Sequence, residues 1–181
     1  YDIRGIVGKD IDHSVAYKIA RAFGSYLINH KKNTIAISGD VRPSTNILLE
    51  HLKTGLLDSG IHVINLGTLP TPLNYYSMHT KKINVDAAIQ ITGSHNPSEY
   101  NGFKLTFNKK PFYGDDIQLL YNMIINEEFV SGHGTVKNYN IVDDYMSMIQ
   151  SKIDISNRIR VAIDCGNAAG CIVAPNLYRS F

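Results

Sequence analysis

Six consecutive residues, Thr92-Gly93-Ser94-His95-Asn96-Pro97, concentrate side chains that chemistry uses. Gly93 lets the backbone come close to a ligand, and successive loop amides can point at an anion. Ser94 offers a hydroxyl, His95 a ring that handles protons or contacts phosphate, and Asn96 a neutral donor. Pro97 stiffens the loop, and Lys104, a few residues on, can reach back over it. Three readings of Ser94 follow from residue types alone. A hydrolase nucleophile needs a strand-to-helix G-x-S-x-G elbow, and no Gly stands two residues after Ser94. A turn built on Gly, Ser, Asn and Pro fits the spacing. So does a serine that carries a phosphoryl group among cations.

The elements around this loop predict where it sits. Val15, Ile19, Phe23 and Leu27 recur every fourth residue and predict a helix from about Ser14, capped by Asp12 or Ser14. Thr34 to Ser38 is a β-branched run and reads as a strand, followed by a loop through Asp40 and Arg42. Ser44 then caps a second helix carrying Ile47, Leu48, Leu52, Leu56 and Leu57, which Gly60 stops. His62 to Leu66 and Asp86 to Thr92 read as further strands, with a helix between them starting near Pro70-Thr71-Pro72. The alternation predicts parallel strands with helical crossovers. The loop at Ser94 then leads directly into Phe103 to Phe107, with no crossover helix, so that strand runs antiparallel to its neighbour. The expected fold is a three-layer α/β/α domain with a mixed, mostly parallel sheet and one antiparallel strand. Ser94 falls at the C-terminal end of a strand, where open α/β sheets bind ligands.

A helix from Asp115 completes this unit, and the expected boundaries are 1–140 for the first domain and 141–157 for a connector helix. Residues 158–181 would open a second domain with a strand at Arg160 to Asp164, a Gly-containing turn and a helix. Polar, Gly-rich residues 127–140 read as a connector. With only one crossover unit of the second domain and no initiator Met, the chain reads as a fragment.

The 181 residues are 44% hydrophobic and 19% charged with a formal charge of +2, an ordinary globular balance. No run of Lys or Arg exceeds a pair, so electrostatics implies neither nucleic acid nor an acidic membrane as partner. Cys165 and Cys171 lack zinc or disulfide spacing and read as buried free thiols of a reducing compartment. With no apolar opening segment, the expected location is cytoplasmic.

Five motifs in order resemble the α-D-phosphohexomutases, in their phosphomannomutase/phosphoglucomutase branch. They are Tyr1-Asp2-Ile3-Arg4-Gly5, Asp40-x-Arg42-x-Ser44, Thr92-Gly93-Ser94-His95-Asn96-Pro97, Asn101-Gly102-Phe103-Lys104 and Asp164-Cys165-Gly166-Asn167. The phosphoglucosamine branch more typically carries a Ser-Ala-Ser-His-Asn-Pro loop. The resemblance implies transfer of phosphate between the 1- and 6-positions of a hexose through phosphorylated Ser94 and a hexose 1,6-bisphosphate. It implies that Arg4 and Lys104 place positive charge near the transferring group, with Lys104 the candidate acid/base. It also implies that His95 and Asn96 contact phosphate in the loop, that Tyr1 touches substrate, and that Asp40 and Arg42 brace the site. Val41 stands where the family usually has Gly.

The resemblance further implies Mg²⁺ held by the phosphoserine oxygen and three alternating Asp residues of a later D-G-D-x-D-R loop. That loop is not in this sequence. Asp10 and Asp12 read as capping, and Asp115-Asp116 and Asp143-Asp144 as helix starts. Residues 1–181 alone are expected to lack mutase turnover. The competing reading from another class is a non-catalytic sugar-phosphate or anion-binding module.

Overall fold

The two faces of the central sheet are chemically different, and the difference is set by period-two alternation along the strands. A computed structural model describes residues 3–157 and 159–181. On strand β2 (Thr34–Gly39), Ile35 and Ile37 point to one face while Ala36 and Ser38 point to the other. Strand β4 (Ala87–Ile91) repeats this with Ala87, Ile89 and Ile91 against Ala88 and Gln90. The fully apolar face packs on helices α1 (His13–Asn29), α2 (Thr45–Asp58) and α4 (Asp115–Ile125) through Phe23, Leu27, Leu48, Leu52, Leu56 and Leu120. The opposite face packs on the short helix α3 (Thr71–Ser77) and on α5 (Val142–Gln150), through Leu73, Ile141, Tyr145 and Met146. These are the three expected layers.

Among the described residues the sheet has seven strands. The others are β1 (Ile3–Ile6), β3 (His62–Thr68), β5 (Tyr100–Phe107), β6 (Lys110–Phe112) and β7 (Val136–Asn138). Their order is β1-β5-β4-β2-β3-β7, with β6 also on β5. Strands β2, β3, β4 and β7 pair in parallel, whereas β5 is antiparallel to β1, β4 and β6. One strand therefore runs against all the others, as the short Ser94 loop requires.

Local chemistry explains most boundaries. The Asp12 side chain caps α1 by accepting from the Val15 amide at 2.8 Å. Asp10 instead accepts from the Ile6 amide at 2.9 Å, which tightens the turn after β1. Several expectations need correction. Ser44 occupies the N-cap position of α2 but makes no capping bond: its backbone is already helical, at φ −75° and ψ −15°, and its hydroxyl accepts from Asn101 Nδ2 at 2.9 Å. Ile47 is exposed, since it cannot share a helix face with buried Leu48. The polar stretch 127–140 contains β7, which extends the sheet beside β3.

The expected strand at Arg160 to Asp164 is absent. Ile159, Val161 and Ile163 keep their alternation, but no neighbouring strand supplies a hydrogen-bond ladder and all three are exposed. A short 3₁₀ turn, Ala169–Ile172, and helix α6 (Ala174–Arg179) follow, with Val173 buried in the α3/α5 core. Cys165 is half-buried and Cys171 exposed, so the two thiols are free but not both buried.

Candidate active site

Strand β4 ends at Ile91, and the next residues turn out of the sheet at its C-terminal edge. Thr92 is still tied to β5, its amide donating to the Gly102 carbonyl at 3.0 Å. Its hydroxyl accepts from the Ser94 amide at 2.8 Å. Ser94 is exposed and sits at φ 56°, in the left-handed region that non-glycine residues enter uncommonly and at some cost. Its Oγ lies 3.3 Å from His95 Nδ1.

Arg42 holds this strained turn. Its guanidinium donates to the carbonyls of Asn96 and Pro97 at 2.6 Å each, to Tyr100 at 3.0 Å and to Ser94 at 3.2 Å. Its Nε lies 3.3 Å from Asp40 Oδ2, with both side chains 14% exposed. Asp40 in turn accepts from the Gly93 and Arg42 amides and, at 2.7 Å, from the Thr45 hydroxyl. The two residues form an ion pair, and the guanidinium does more than neutralise Asp40, since it gathers four loop carbonyls around one planar group. Gly93 makes this possible: a Cβ there would lie 2.4 Å from Arg42 Cζ. The missing side chain admits the guanidinium, not only a ligand.

Fully buried Asn101 reaches the same place from β5, donating to Ser44 Oγ and, at 3.1 Å, to Thr45 Oγ1. Neither Thr45 nor Asn101 was singled out from the sequence. Each lies inside or beside a motif that was, and a buried hydroxyl and amide in neighbouring motifs was the available signal.

The cations divide between two pockets. Ser94 opens on a pocket of about 600 Å³ lined also by Asp40, Arg42, Thr71, Gln90 and Thr92, and closed on one side by Ala168–Gly170. The turn that delivers Ala168 is shaped by Asp164, whose side chain accepts from the Gly166 amide at 2.8 Å, with Gly166 and Asn167 both at positive φ. Arg4 and Lys104 line a second pocket, of about 650 Å³. Their strands are adjacent, with Arg4 paired to Gly102 and Lys104 two residues further along β5, so both side chains rise from one face. A Cβ on Gly102 would lie 2.2 Å from the Ile3 carbonyl oxygen and 3.1 Å from Arg4 Cγ, so glycine lets the Arg4 stem cross β5. Arg4 joins the serine loop by donating to Asn96 Oδ1, at a long 3.4 Å. Lys104 is paired in register with Gln90, which lines the Ser94 pocket. The loop residues and Arg42 thus stand together, Arg4 touches them through Asn96, and Lys104 shares its pocket with Arg4 rather than with Ser94. Tyr1 lies outside the described residues.

Residues 1–131 match the family model described as phosphoglucomutase/phosphomannomutase, alpha/beta/alpha domain I. The chain belongs to this phosphohexomutase family. Over 99% of its length it is 35% identical to a phosphomannomutase/phosphoglucomutase of Pseudomonas putida, of which it spans 38%. It is 37% identical to a phosphoglucomutase of Neisseria gonorrhoeae, over 99% of this chain and 39% of that protein. A solved phosphoglucomutase/phosphomannomutase family structure from Burkholderia thailandensis superposes with a TM-score of 0.95 at 35% identity, over 99% of this chain and 41% of that one. The chain therefore spans well under half the length of these relatives.

The described residues do not assemble a metal centre of the phosphohexomutase kind. No group of three or more His, Cys, Asp or Glu side chains among them is placed to hold an ion. The carboxylate of this pocket, Asp40, is already engaged by Arg42, Gly93 and Thr45. Mg²⁺ prefers a shell of several oxygens, which this donor set does not provide. No helix among the described residues is long and apolar enough to cross a membrane.

Proposed function

We propose that Ser94 is the phosphoryl-carrying residue of a phosphohexomutase that interconverts hexose 1-phosphate and hexose 6-phosphate, with mannose or glucose as the sugar. The observation that carries this reading is the exposed Ser94 held in a left-handed turn by the Arg42 clamp at the mouth of an open pocket. Such a turn projects the hydroxyl away from the sheet, and a phosphoryl transfer asks mostly for positioning and positive charge.

In the proposed reaction the P–Oγ bond of phosphorylated Ser94 breaks as a free sugar hydroxyl forms a new P–O bond. The hydroxyl's proton passes to a base, for which Lys104 is the candidate by resemblance, and the departing Ser94 Oγ takes up a proton to become a free hydroxyl. The hexose 1,6-bisphosphate then turns over, and its other phosphate returns to Ser94, regenerating the phosphoserine. Arg4 offsets the charge of two phosphate groups brought together. His95 and Asn96 contact phosphate, Tyr1 contacts substrate, and Asp40 with Arg42 fixes the loop. Mg²⁺ in the family chemistry would gain only the Ser94 phosphate oxygen from these residues. The domain limits 1–140, 141–157 and 158–181, a cytoplasmic location, and the absence of nucleic-acid and membrane partners belong to the same proposal.

The Thr92-Gly93-Ser94-His95-Asn96-Pro97 loop resembles this branch more than a phosphoglucosamine mutase, whose more typical loop carries alanine at the position of Gly93. Intact mass spectrometry tests the proposal. After incubation of the full-length protein with glucose 1,6-bisphosphate one phosphate should be gained, and Ser94→Ala should abolish the gain. A full-length protein that binds hexose phosphates yet never gains mass is instead a non-catalytic binding module.

A further inference from the structure

The two cysteines stand on either side of the turn that closes the Ser94 pocket. After Cys165 the chain reverses through Gly166 and Asn167, at φ 55° and 53°, and the Asp164 carboxylate holds the reversal at the Gly166 amide. Two backbone bonds then fold the span back on itself. The Ala168 amide donates to the Cys165 carbonyl at 2.9 Å, and the Cys171 amide to the Ala168 carbonyl at 3.0 Å. The thiols end up as neighbours. Cys165 Sγ would lie 3.5 Å from a Cβ placed on Gly170, the residue beside Cys171, and Cys171 is an electrostatic and hydrogen-bonding neighbour of the Cys165 thiol. Cys171 is exposed and Cys165 half-buried. Between them lie Ala168, Ala169 and Gly170, the wall of the Ser94 pocket. Val173, just beyond, is buried in the α3/α5 core and fixes that end of the turn. Spacing alone announces no disulfide, and the fold supplies the proximity.

We propose that Cys165 and Cys171 are a peroxide-sensitive thiol pair whose disulfide displaces the Ala168–Gly170 wall and slows phosphoryl transfer at Ser94. The disulfide goes beyond the mutase reading, and only its effect on Ser94 rests on that reading. In the first step the exposed Cys171 thiolate attacks a peroxide oxygen. The O–O bond breaks, the sulfur is oxidised to a sulfenic acid, and the peroxide is reduced to hydroxide, which takes up a proton. The Cys165 sulfur then attacks that sulfur, the S–O bond breaks, and the departing hydroxide leaves as water with the Cys165 proton. Two thiols and one hydrogen peroxide thus give one disulfide and two waters. Exposure assigns the roles: oxidant reaches Cys171, and the sheltered Cys165 resolves it. The bond draws the sulfurs to about 2 Å, well inside nonbonded contact. With Val173 held in the core, the contraction falls on residues 168–170. A pair that rests reduced and oxidises on exposure suits a reducing compartment, where disulfides are transient and redox-sensing.

The test treats the full-length protein with hydrogen peroxide, blocks the remaining thiols and digests with trypsin. Both cysteines fall in the peptide 161–179, so the disulfide appears there as the loss of two hydrogens, which dithiothreitol restores. Cys165→Ser should stop the reaction at a sulfenic acid on Cys171, trapped by dimedone, and Cys171→Ser should leave Cys165 largely unoxidised. A peptide that stays dithiol, or that carries sulfinic acid in place of the disulfide, overturns the pair. Oxidation of Cys165 at an undiminished rate in Cys171→Ser overturns the assigned roles. For the wall, oxidised protein should gain phosphate from glucose 1,6-bisphosphate about 10-fold more slowly than reduced protein. Dithiothreitol should restore the rate, and Cys171→Ser should keep the reduced rate in peroxide. A disulfide that leaves the rate unchanged overturns the displacement. If the reduced protein gains no phosphate, the mutase reading fails by itself. The wall is then read from amide exchange at 168–170, and exchange that oxidation leaves unchanged overturns the displacement.

Discussion

Replacing Arg42 with alanine is the sharpest perturbation of the site that leaves Ser94 in place. The side chain makes four hydrogen bonds to carbonyls of residues 94, 96, 97 and 100 and an ion pair with Asp40. Hydrogen bonds from a charged donor contribute about 1.5–3 kcal/mol each. A plain sum overshoots here, because the loop is largely exposed and water can reach the released carbonyls. Breaking a largely buried pair costs about 3–5 kcal/mol, and an Asp40 that keeps the Thr45 and amide donors sits at the low end. We expect Arg42→Ala to lose about 3 kcal/mol of unfolding free energy, a large share of the roughly 5–15 kcal/mol typical of a domain. Arg42→Lys keeps the charge but not the planar fork, and should lose about 2 kcal/mol. Urea denaturation gives the stability change, and amide exchange across 93–100 locates it. The Ser94 phosphorylation rate should fall further than stability, since the freed turn relaxes out of its left-handed conformation. A loss below about 0.5 kcal/mol, with loop protection intact, would refute the clamp.

Other outcomes follow from the same geometry. Ser94→Gly should be more stable than Ser94→Ala by about 1 kcal/mol, since only glycine accepts positive φ without strain; thermal melts check it. The Tyr139 phenol is pushed up to about 12, first by its hydrogen bond to Asp144 and then by burial. Because the folded value is raised above 10.0, this contribution is full below that pH and is lost as pH climbs towards 12. Thermal stability should therefore lose this contribution across the window, and the difference in melting temperature between the wild type and Tyr139→Phe should shrink as pH climbs. Burial raises the half-buried Cys165 thiol, with Cys171 adding to the shift, so a thiol-alkylating reagent should label exposed Cys171 first, read by peptide mass. Residues 1–181 should show no interconversion of glucose 1-phosphate and glucose 6-phosphate even with Mg²⁺, and a coupled assay that detects turnover would overturn this.

Sequence legibility followed the range of the forces involved. The alternation of Ile35, Ile37, Ile89 and Ile91 and the four-residue spacing of Ile19, Phe23 and Leu27 are local consequences of burial, so layers and strand directions were readable. The antiparallel course of β5 followed from loop length alone. Edge strand β7 was hidden because Val136, Lys137 and Asn138 are exposed and carry no burial signal; backbone pairing with Val63 to Asn65 makes the strand. The reverse error arose at Arg160 to Asp164, where alternation is present without a partner strand.

The site shows the same division at closer range. Ser94, His95 and Asn96 were identifiable because their types are contiguous in one loop. What makes that loop a device lies 52 residues away, in Arg42, and is visible only when four carbonyls converge on it. Asp40-x-Arg42 and Thr92-Gly93-Ser94 are each open to bland readings as a surface ion pair and a turn. In space they exclude those readings together: the guanidinium occupies the volume that Gly93 leaves empty, and the Gly93 amide donates to the carboxylate that holds the guanidinium. What sets the Ser94 turn apart from the chain's other positive-φ turns, such as those at Lys31 and Glu127, is the charged clamp over it. The proposed phosphoryl-carrying role would use this arrangement, a hydroxyl kept exposed beside an open pocket by a turn that Arg42 holds.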